Sequence, residues 1–329
     1  MFATDRQCRR ALLLGAAAAF AAPALAQSPF TKVETLYGIG ASVPHRLYST
    51  WADQFGPELG LDLNYVPLGS GEGRRAAIDR EADFGGSDNL LDAADLAKAD
   101  LVQVPTASAA LGFVVNLPGI ETTRLRLRRA DIVGIFNGDI RTWSDPRLRA
   151  TNPDLELPHL AITPILRRET SGSTSLVAAW LTGADAPQEA GSNLVDRSPG
   201  LAVFGAHGVA LTVRRLRGSI GYLEASGARQ FGLDMLDIER ADGTFATLAQ
   251  PPEAFEGEGG SSLWPLVIRT NILIPCDASR RHRSSMVARF FRKCLLDGGV
   301  LTAFVGYLPL PDPIRSEAVL KLDQLCEDR

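Results

Sequence analysis

Between positions 167 and 174 the chain reads Arg167-Arg168-Glu169-Thr170-Ser171-Gly172-Ser173-Thr174, two guanidinium groups followed by hydroxyls around one glycine. That set can hold a small tetrahedral anion. Arginine offers a planar, two-pronged cation, and Ser171, Ser173 and Thr174 offer hydroxyl donors. The flanks supply the geometry. Ile162 to Leu166 is an apolar run of strand length, and Leu176 to Leu181 has helical spacing, so the segment predicts strand, polar turn, helix. Such a turn aims the unpaired N–H groups of the helix start at whatever it cradles. The same residues also suit an ordinary helix cap, because serine and threonine are common there. The remaining turns must decide between the two.

Two earlier stretches have the same design. Val33 to Leu36 is a short strand ahead of Gly38-Ile39-Gly40-Ala41-Ser42-Val43-Pro44, where Ser42 suits an N-cap and Pro44 a first helical turn. The helix is expected to reach about Glu58, with Leu47, Trp51 and Phe55 on one face and Gly60 as its stop. Leu61 to Val66 alternates as a strand, and Gly69-Ser70-Gly71-Glu72-Gly73 opens into Arg74-Arg75-Ala76-Ala77-Ile78. Glu81 to Asp88 reads as another short strand and tight turn, with Asp88 suited to capping it.

Further along, Leu101–Pro105 and Ala110–Val115 read as two buried strands, and Asn116-Leu117-Pro118-Gly119 as a crossover into a second domain. Arg124 to Arg129 reads as a solvated helix face. Ala130 to Phe136 is expected as a helix, Gly218 to Leu223 as turn and strand, and Ala241 to Ser262 as surface loop. Trp264 to Pro275 would cross back, and Ser284 to Leu296 would close the first domain as an amphipathic helix. Alternating strands and helices joined by Gly/Ser turns predict an α/β fold of two lobes sharing the chain through two crossovers. Residues 27–115 with 268–329 would form lobe I, and 116–267 lobe II.

A chain of 329 residues is long enough for two such domains. No apolar stretch in its body approaches the roughly 20 residues needed to span a bilayer. A net charge of −4 argues against a nucleic-acid surface, so any anion binding is local. The N-terminus reads as a secretory signal: Arg6, Arg9 and Arg10 precede Ala11-Leu12-Leu13-Leu14 and an alanine-rich stretch, then Ala24-Leu25-Ala26 supplies a cleavage site. Arg9-Arg10 ahead of that stretch is similar to a twin-arginine signal. Cleavage after Ala26 would lower the net charge to −6, since three arginines and one aspartate leave. No direct membrane insertion is then expected. Cys276, Cys294 and Cys326 stay, so export permits one disulfide and one thiol over, with no pairing assigned.

Competing chemistries find little support. Gly38-x-Gly40 and Gly69-x-Gly71-x-Gly73 do not complete a dinucleotide loop. There is no G-x-S-x-G elbow and no lysine three residues after a serine. His45, His159, His207 and His282 have no ligand spacing, so no metal site and no cofactor are expected. A phosphate-ester hydrolase built on Ser171–Ser175 lacks a positioned base, and no catalytic residue is assigned.

The turns together resemble the ligand loops of the periplasmic phosphate-binding proteins of ABC phosphate-uptake systems. The resemblance rests on Gly38 to Pro44, Gly69-Ser70-Gly71, Asp83 to Asp88 and Arg167-x-Glu169-x-Ser171-Gly172-Ser173. It extends through Val102 to Thr106, Val115 to Gly119, Ile135 to Pro146, Gly218 to Tyr222 and Tyr307 to Pro311, in family order over most of the chain. It implies a periplasmic-binding-protein fold with the ligand cleft between the lobes. Carried over position by position, Ser42, the Val43 backbone, Ser70, Asp88, Arg167, Ser171, Gly172 and Ser173 would bind inorganic phosphate, with Glu169 supporting Arg167. Asp88 would accept a ligand proton, which phosphate and arsenate carry near neutral pH and sulfate does not. The resemblance further implies an exported monomer that closes around the ion and delivers it to an inner-membrane ABC permease. Another oxyanion (arsenate, sulfate, molybdate) or a sensing output is the alternative. The chain departs from the family at Ser42-Val43, where Thr-Phe is common, at Glu169 for aspartate, at Thr170 for glycine and at Glu72 for a small residue.

Overall fold

The computed structural model describes residues 33–183, 190–248 and 264–327; the expected signal, residues 1–26, and residues 249–262 of the expected surface loop lie outside them. The strands are β1 (Glu34–Gly40), β2 (Leu61–Pro67), β3 (Phe84–Ser87), β4 (Leu101–Val115), β5 (Arg126–Leu127), β6 (Thr163–Arg167), β7 (Leu201–Val203), β8 (Ser219–Glu224), β9 (Asp237–Glu239), β10 (Phe245–Ala246) and β11 (Val267–Pro275). Eight of them form one sheet in the order β2-β1-β3-β11-β4-β8-β6-β7, and β10-β9-β5 form a small second sheet. At one end β1 runs parallel to β2 and β3; at the other β6 runs parallel to β7 and β8. Between the two groups β4 and β11 are antiparallel to all their neighbours.

β4 is where the structure departs most from the sequence reading. Pro105 cannot donate to a ladder, which argues for a break there. Instead fifteen residues form one strand. The pairing with β11 places Pro105 opposite Asn271 and Ala107 opposite Thr270, leaving Thr106 as the extra residue of a bulge. The bulge is anchored, since Thr106 Oγ1 donates to the Thr270 carbonyl at 3.2 Å and shares a 2.8 Å bond with Tyr48 Oη.

Two large hydrophobic clusters flank the middle of this sheet. One gathers Leu36, Tyr48, Trp51, Phe84, Val104, Ile272 and Phe291, the other Leu111, Phe113, Phe136, Trp143, Ile220, Tyr222 and Trp264. Full burial of one such side chain contributes about 1.5–3 kcal/mol, so these clusters dominate the stability of each half. Ala109 belongs to the first and Ala110 to the second, and Ile268 to the first and Leu266 to the second. The chain therefore passes between clusters inside β4 and at the start of β11; the turn Asn116–Gly119 follows the first passage.

The helices bury the faces their spacing implies. His45–Leu59 buries Leu47, Tyr48, Trp51, Ala52 and Phe55, and Arg281–Asp297 buries Met286, Val287, Phe290, Phe291 and Cys294. Ser42 does not cap the first of them. Pro44 occupies the cap position and no side chain bonds the helix start. The run Arg124–Arg129 is not a helix face either. Leu125 and Leu127 are fully buried and alternate with arginines, a period of two that forms β5 beside β9. No disulfide joins Cys276, Cys294 and Cys326. Among the described residues no helix is long and apolar enough to cross a membrane.

Candidate anion-binding site

The residues singled out for anion chemistry lie just beyond, or at, the carboxyl ends of parallel strands. Ser42 and Val43 follow β1, Ser70 follows β2, Asp88 follows β3, Arg167 ends β6, and Ser171, Gly172 and Ser173 lead into the helix Gly172–Thr182. In open α/β sheets that edge is where ligands bind, because the helix starts converge there.

Arg167 is the centre. Its side chain is 2% exposed, and both Nε and Nη2 donate to Glu169 Oε1. The other carboxylate oxygen, Glu169 Oε2, accepts the Gly205 N–H at 3.0 Å, at the start of the helix Gly205–Arg215. Glutamate thus fills the supporting role and also ties down a helix whose N-terminal dipole favours it. Glu72, the other acidic departure, is half-buried and paired with Arg75 Nε at 3.0 Å.

Turns packed on the two clusters meet here. Ser70 Oγ accepts the Asp88 N–H at 3.1 Å and the Gly172 N–H at 3.4 Å, and Gly71 N–H donates to the Thr170 carbonyl at 3.3 Å. Gly172 has to be glycine at this contact. A Cβ there would stand 2.4 Å from Asp88 Cβ. Ser171 holds the cap position of its helix without a side-chain cap bond, so its hydroxyl is not committed to the helix start. Val43 is buried, and its carbonyl accepts Tyr307 Oη at 2.7 Å.

Asp88 and Glu224 both lie within the electrostatic reach of Arg167, and each keeps a buried oxygen with no hydrogen-bond partner among the described residues, as do Ser42 Oγ, Ser173 Oγ, Ser226 Oγ and Thr270 Oγ1. Leaving one such group unpaired costs about 1–3 kcal/mol, so a concentration of them marks a place built for something other than itself. Burial pushes the Asp88 carboxyl up to about 7, while Thr270, Arg167 and Ser70 draw it partly back. Thr270 Oγ1 influences the carboxylate without making a hydrogen bond of good geometry. An acid poised near neutrality accepts a proton from a ligand with little penalty.

Four residues of this region escape the sequence reading as site residues. Glu224, at the end of β8, is buried, and burial also pushes it up to about 7. Applying the strand-end rule to β8 as well would have found it. Thr270 lies at the bulge opposite Thr106, which no local motif announces. His45 and His207, 162 positions apart in sequence, come together with ring centroids 6.4 Å apart. Among the described residues no group of three or more His, Cys, Asp or Glu could hold a metal ion.

The two-lobed sheet and its strand-end polar pocket define a ligand receptor of the periplasmic-binding-protein class, and the PBP superfamily domain matches residues 26–256. A phosphate-binding protein from Stenotrophomonas maltophilia shares the fold at a TM-score of 0.63 and 19% identity, over 87% of this chain and 93% of that one. The phosphate-binding protein PstS of Haemophilus influenzae is 31% identical over 88% of this chain and 92% of its own length. That of Pasteurella multocida is 31% identical over 86% and 88%. The chain belongs to this PstS family within the PBP superfamily.

Proposed function

We propose that this chain is an exported receptor that captures inorganic phosphate and hands it to an ABC permease in the inner membrane. The observation that carries the reading is Arg167, buried and held by Glu169, beside the enclosed Asp88 carboxylate whose Oδ1 has no partner among the described residues. The guanidinium and the hydroxyls of Ser42, Ser70, Ser171 and Ser173, with the N–H groups of Val43 and Gly172, bind the oxyanion. Asp88 accepts its proton. A carboxylate in an anion pocket repels a ligand with nothing to donate, so sulfate is rejected, and sites built on such a bond discriminate by roughly 10⁴–10⁵.

Closure is a hinge motion of the two lobes, 27–115 with 268–329 and 116–267, about β4 and β11. Contacts between Ser70 and Gly172, and between Gly71 and Thr170, support that geometry. The role is transport rather than catalysis, performed by a monomer in the periplasm. Calorimetry of the mature protein, stripped of bound ion, tests the assignment with phosphate, arsenate, sulfate and molybdate in turn. Phosphate binding that Arg167→Ala abolishes is expected. Binding of sulfate in preference to phosphate, or an Arg167→Ala protein of unchanged affinity, rejects it.

A further inference from the structure

The phosphate reading uses one carboxylate, Asp88, yet a second is enclosed beside it. Glu224 ends β8, is buried, and shares a small cavity of mixed polar and apolar lining with Ser42, one of the proposed phosphate ligands. Its two oxygens differ in surroundings. Oε1 packs over Gly227, where an added Cβ would lie 2.5 Å away, while Oε2 is buried without a partner among the described residues. Ser226 Oγ and Ser42 Oγ, on the same cavity wall, are likewise buried and make no hydrogen bond of good geometry among the described residues, although Ser226 lies close enough to the Tyr307 phenol to influence it. Three such atoms around one small space mark a polar site rather than a packing defect.

The charges around Glu224 can be followed element by element. Arg167 attracts it and Asp88 repels it, but Arg167 is already neutralised by Glu169. From the start of the helix His45–Leu59 come His45 and the exposed Arg46, whose Nη1 donates to the Ser226 carbonyl at 3.4 Å. Burial and the facing His207 hold His45 below its ordinary value, so it brings no charge at neutral pH. The helix Gly205–Arg215 contributes His207, and the segment before the last helix contributes Tyr307, whose phenol burial keeps protonated. With Asp88 and Glu224 both ionised the pocket holds more negative than positive charge before any anion enters.

We propose that Glu224 is a second proton-accepting carboxylate of the phosphate site, so that binding above neutral pH takes up one proton in addition to the one Asp88 reads. The proposal rests on the phosphate reading and deepens it. Dibasic phosphate beside a protonated Glu224 and monobasic phosphate beside an ionised Glu224 contain the same protons, so the pair titrates as a unit. Its burial cost, which holds the carboxyl near neutrality in the absence of a ligand anion, points the same way. Free dibasic phosphate and an ionised Glu224 must then collect one proton from solvent, bound as an O–H between ligand and carboxylate. One proton taken up per ion makes affinity fall about tenfold per pH unit.

The test is phosphate calorimetry on the ion-stripped mature protein in two buffers of different ionisation enthalpy, from about pH 7.5 to about pH 9. The wild type is expected to take up one proton per phosphate and lose affinity about tenfold per pH unit. Glu224→Gln, which keeps the shape but cannot ionise, is expected to bind without uptake and with a nearly flat profile. Tight wild-type binding with no proton uptake, or a Glu224→Gln protein with the wild-type slope, overturns the role of Glu224 and leaves phosphate as the ligand. Absence of phosphate binding to the wild type at every pH removes the phosphate reading itself. Should Glu224→Gln fail to fold by thermal melting, a wild-type protein that takes up no proton on binding phosphate still overturns the proposal.

Discussion

Asp83 and Asp88 stand at opposite ends of the four-residue strand β3, and their surroundings differ in kind. Asp83 is fully engaged: its two oxygens accept from Arg283 Nε at 2.9 Å and from Arg283 Nη2, and Oδ2 also accepts the Tyr37 N–H at 2.8 Å. Arg280 approaches it within 3.7 Å. Asp88, at the carboxyl end, keeps Oδ1 buried and without a partner among the described residues. Both are acidic residues in one short motif, five positions apart. One is satisfied by its own fold and serves to fasten β1, β3 and the helix Arg281–Asp297. The other is left to be satisfied by something that arrives. Burial alone does not mark a functional carboxylate; burial with an unmet bond does.

Substitution at the two ends gives the largest contrast. Asp88→Ala should weaken phosphate binding by about 2–5 kcal/mol, or roughly 30- to several-thousand-fold in Kd, with no loss of Tm at neutral pH. Asp83→Ala should instead lower stability by about 1–3 kcal/mol, discounted because Arg283 is about a quarter exposed, and leave Kd unaltered in the folded protein. Calorimetry and thermal melting of both variants check this, and the comparison fails if the two effects are exchanged.

The buried arginine supplies the next contrast. Glu169→Ala strands Arg167 as an uncompensated buried charge and should cost about 3–5 kcal/mol by urea denaturation, with phosphate affinity reduced as well. Exposed pairs have no such effect. Arg75→Ala, which breaks contacts to Glu72, Asp79 and Glu81, should change stability by about 1 kcal/mol or less.

Dependence on pH reports on the two enclosed carboxylates, Asp88 and Glu224. The Asp88 and Glu224 carboxyls lie near 7 in the fold, above their ordinary values of 3.8 and 4.5. The fold binds their protons more strongly than the unfolded chain does, so this stabilisation is complete below about pH 4 and lost as pH rises through about 7. Melting curves of the ion-stripped protein should show Tm falling across that window, and Asp88→Asn should flatten the fall. A rising Tm contradicts the assignment. A modest effect is expected at Tyr307, where Tyr307→Phe removes the bond to the Val43 carbonyl and should cost about 1 kcal/mol in stability.

The sequence alone determined the local half of this protein. A strand, a Gly/Ser turn and a helix can be read at Gly38–Pro44, Gly69–Arg75 and Arg167–Thr174, because turn chemistry and hydrophobic period act over a few residues. The same reasoning predicts where Arg167 and Asp88 sit in their own loops. What it could not decide is whatever depends on pairing across the sheet. Pro105 argues for a break, yet β4 stays whole because β11 absorbs Thr106 as a bulge. Glu224 lies just past the apolar run Gly218 to Leu223 with no motif of its own; only when β8 is placed beside β6 does its carboxylate come near Arg167. His45 and His207, far apart along the chain, face each other only once two helices converge. Tertiary structure decided these because an unmet hydrogen bond belongs to a set of neighbours that no window of sequence contains.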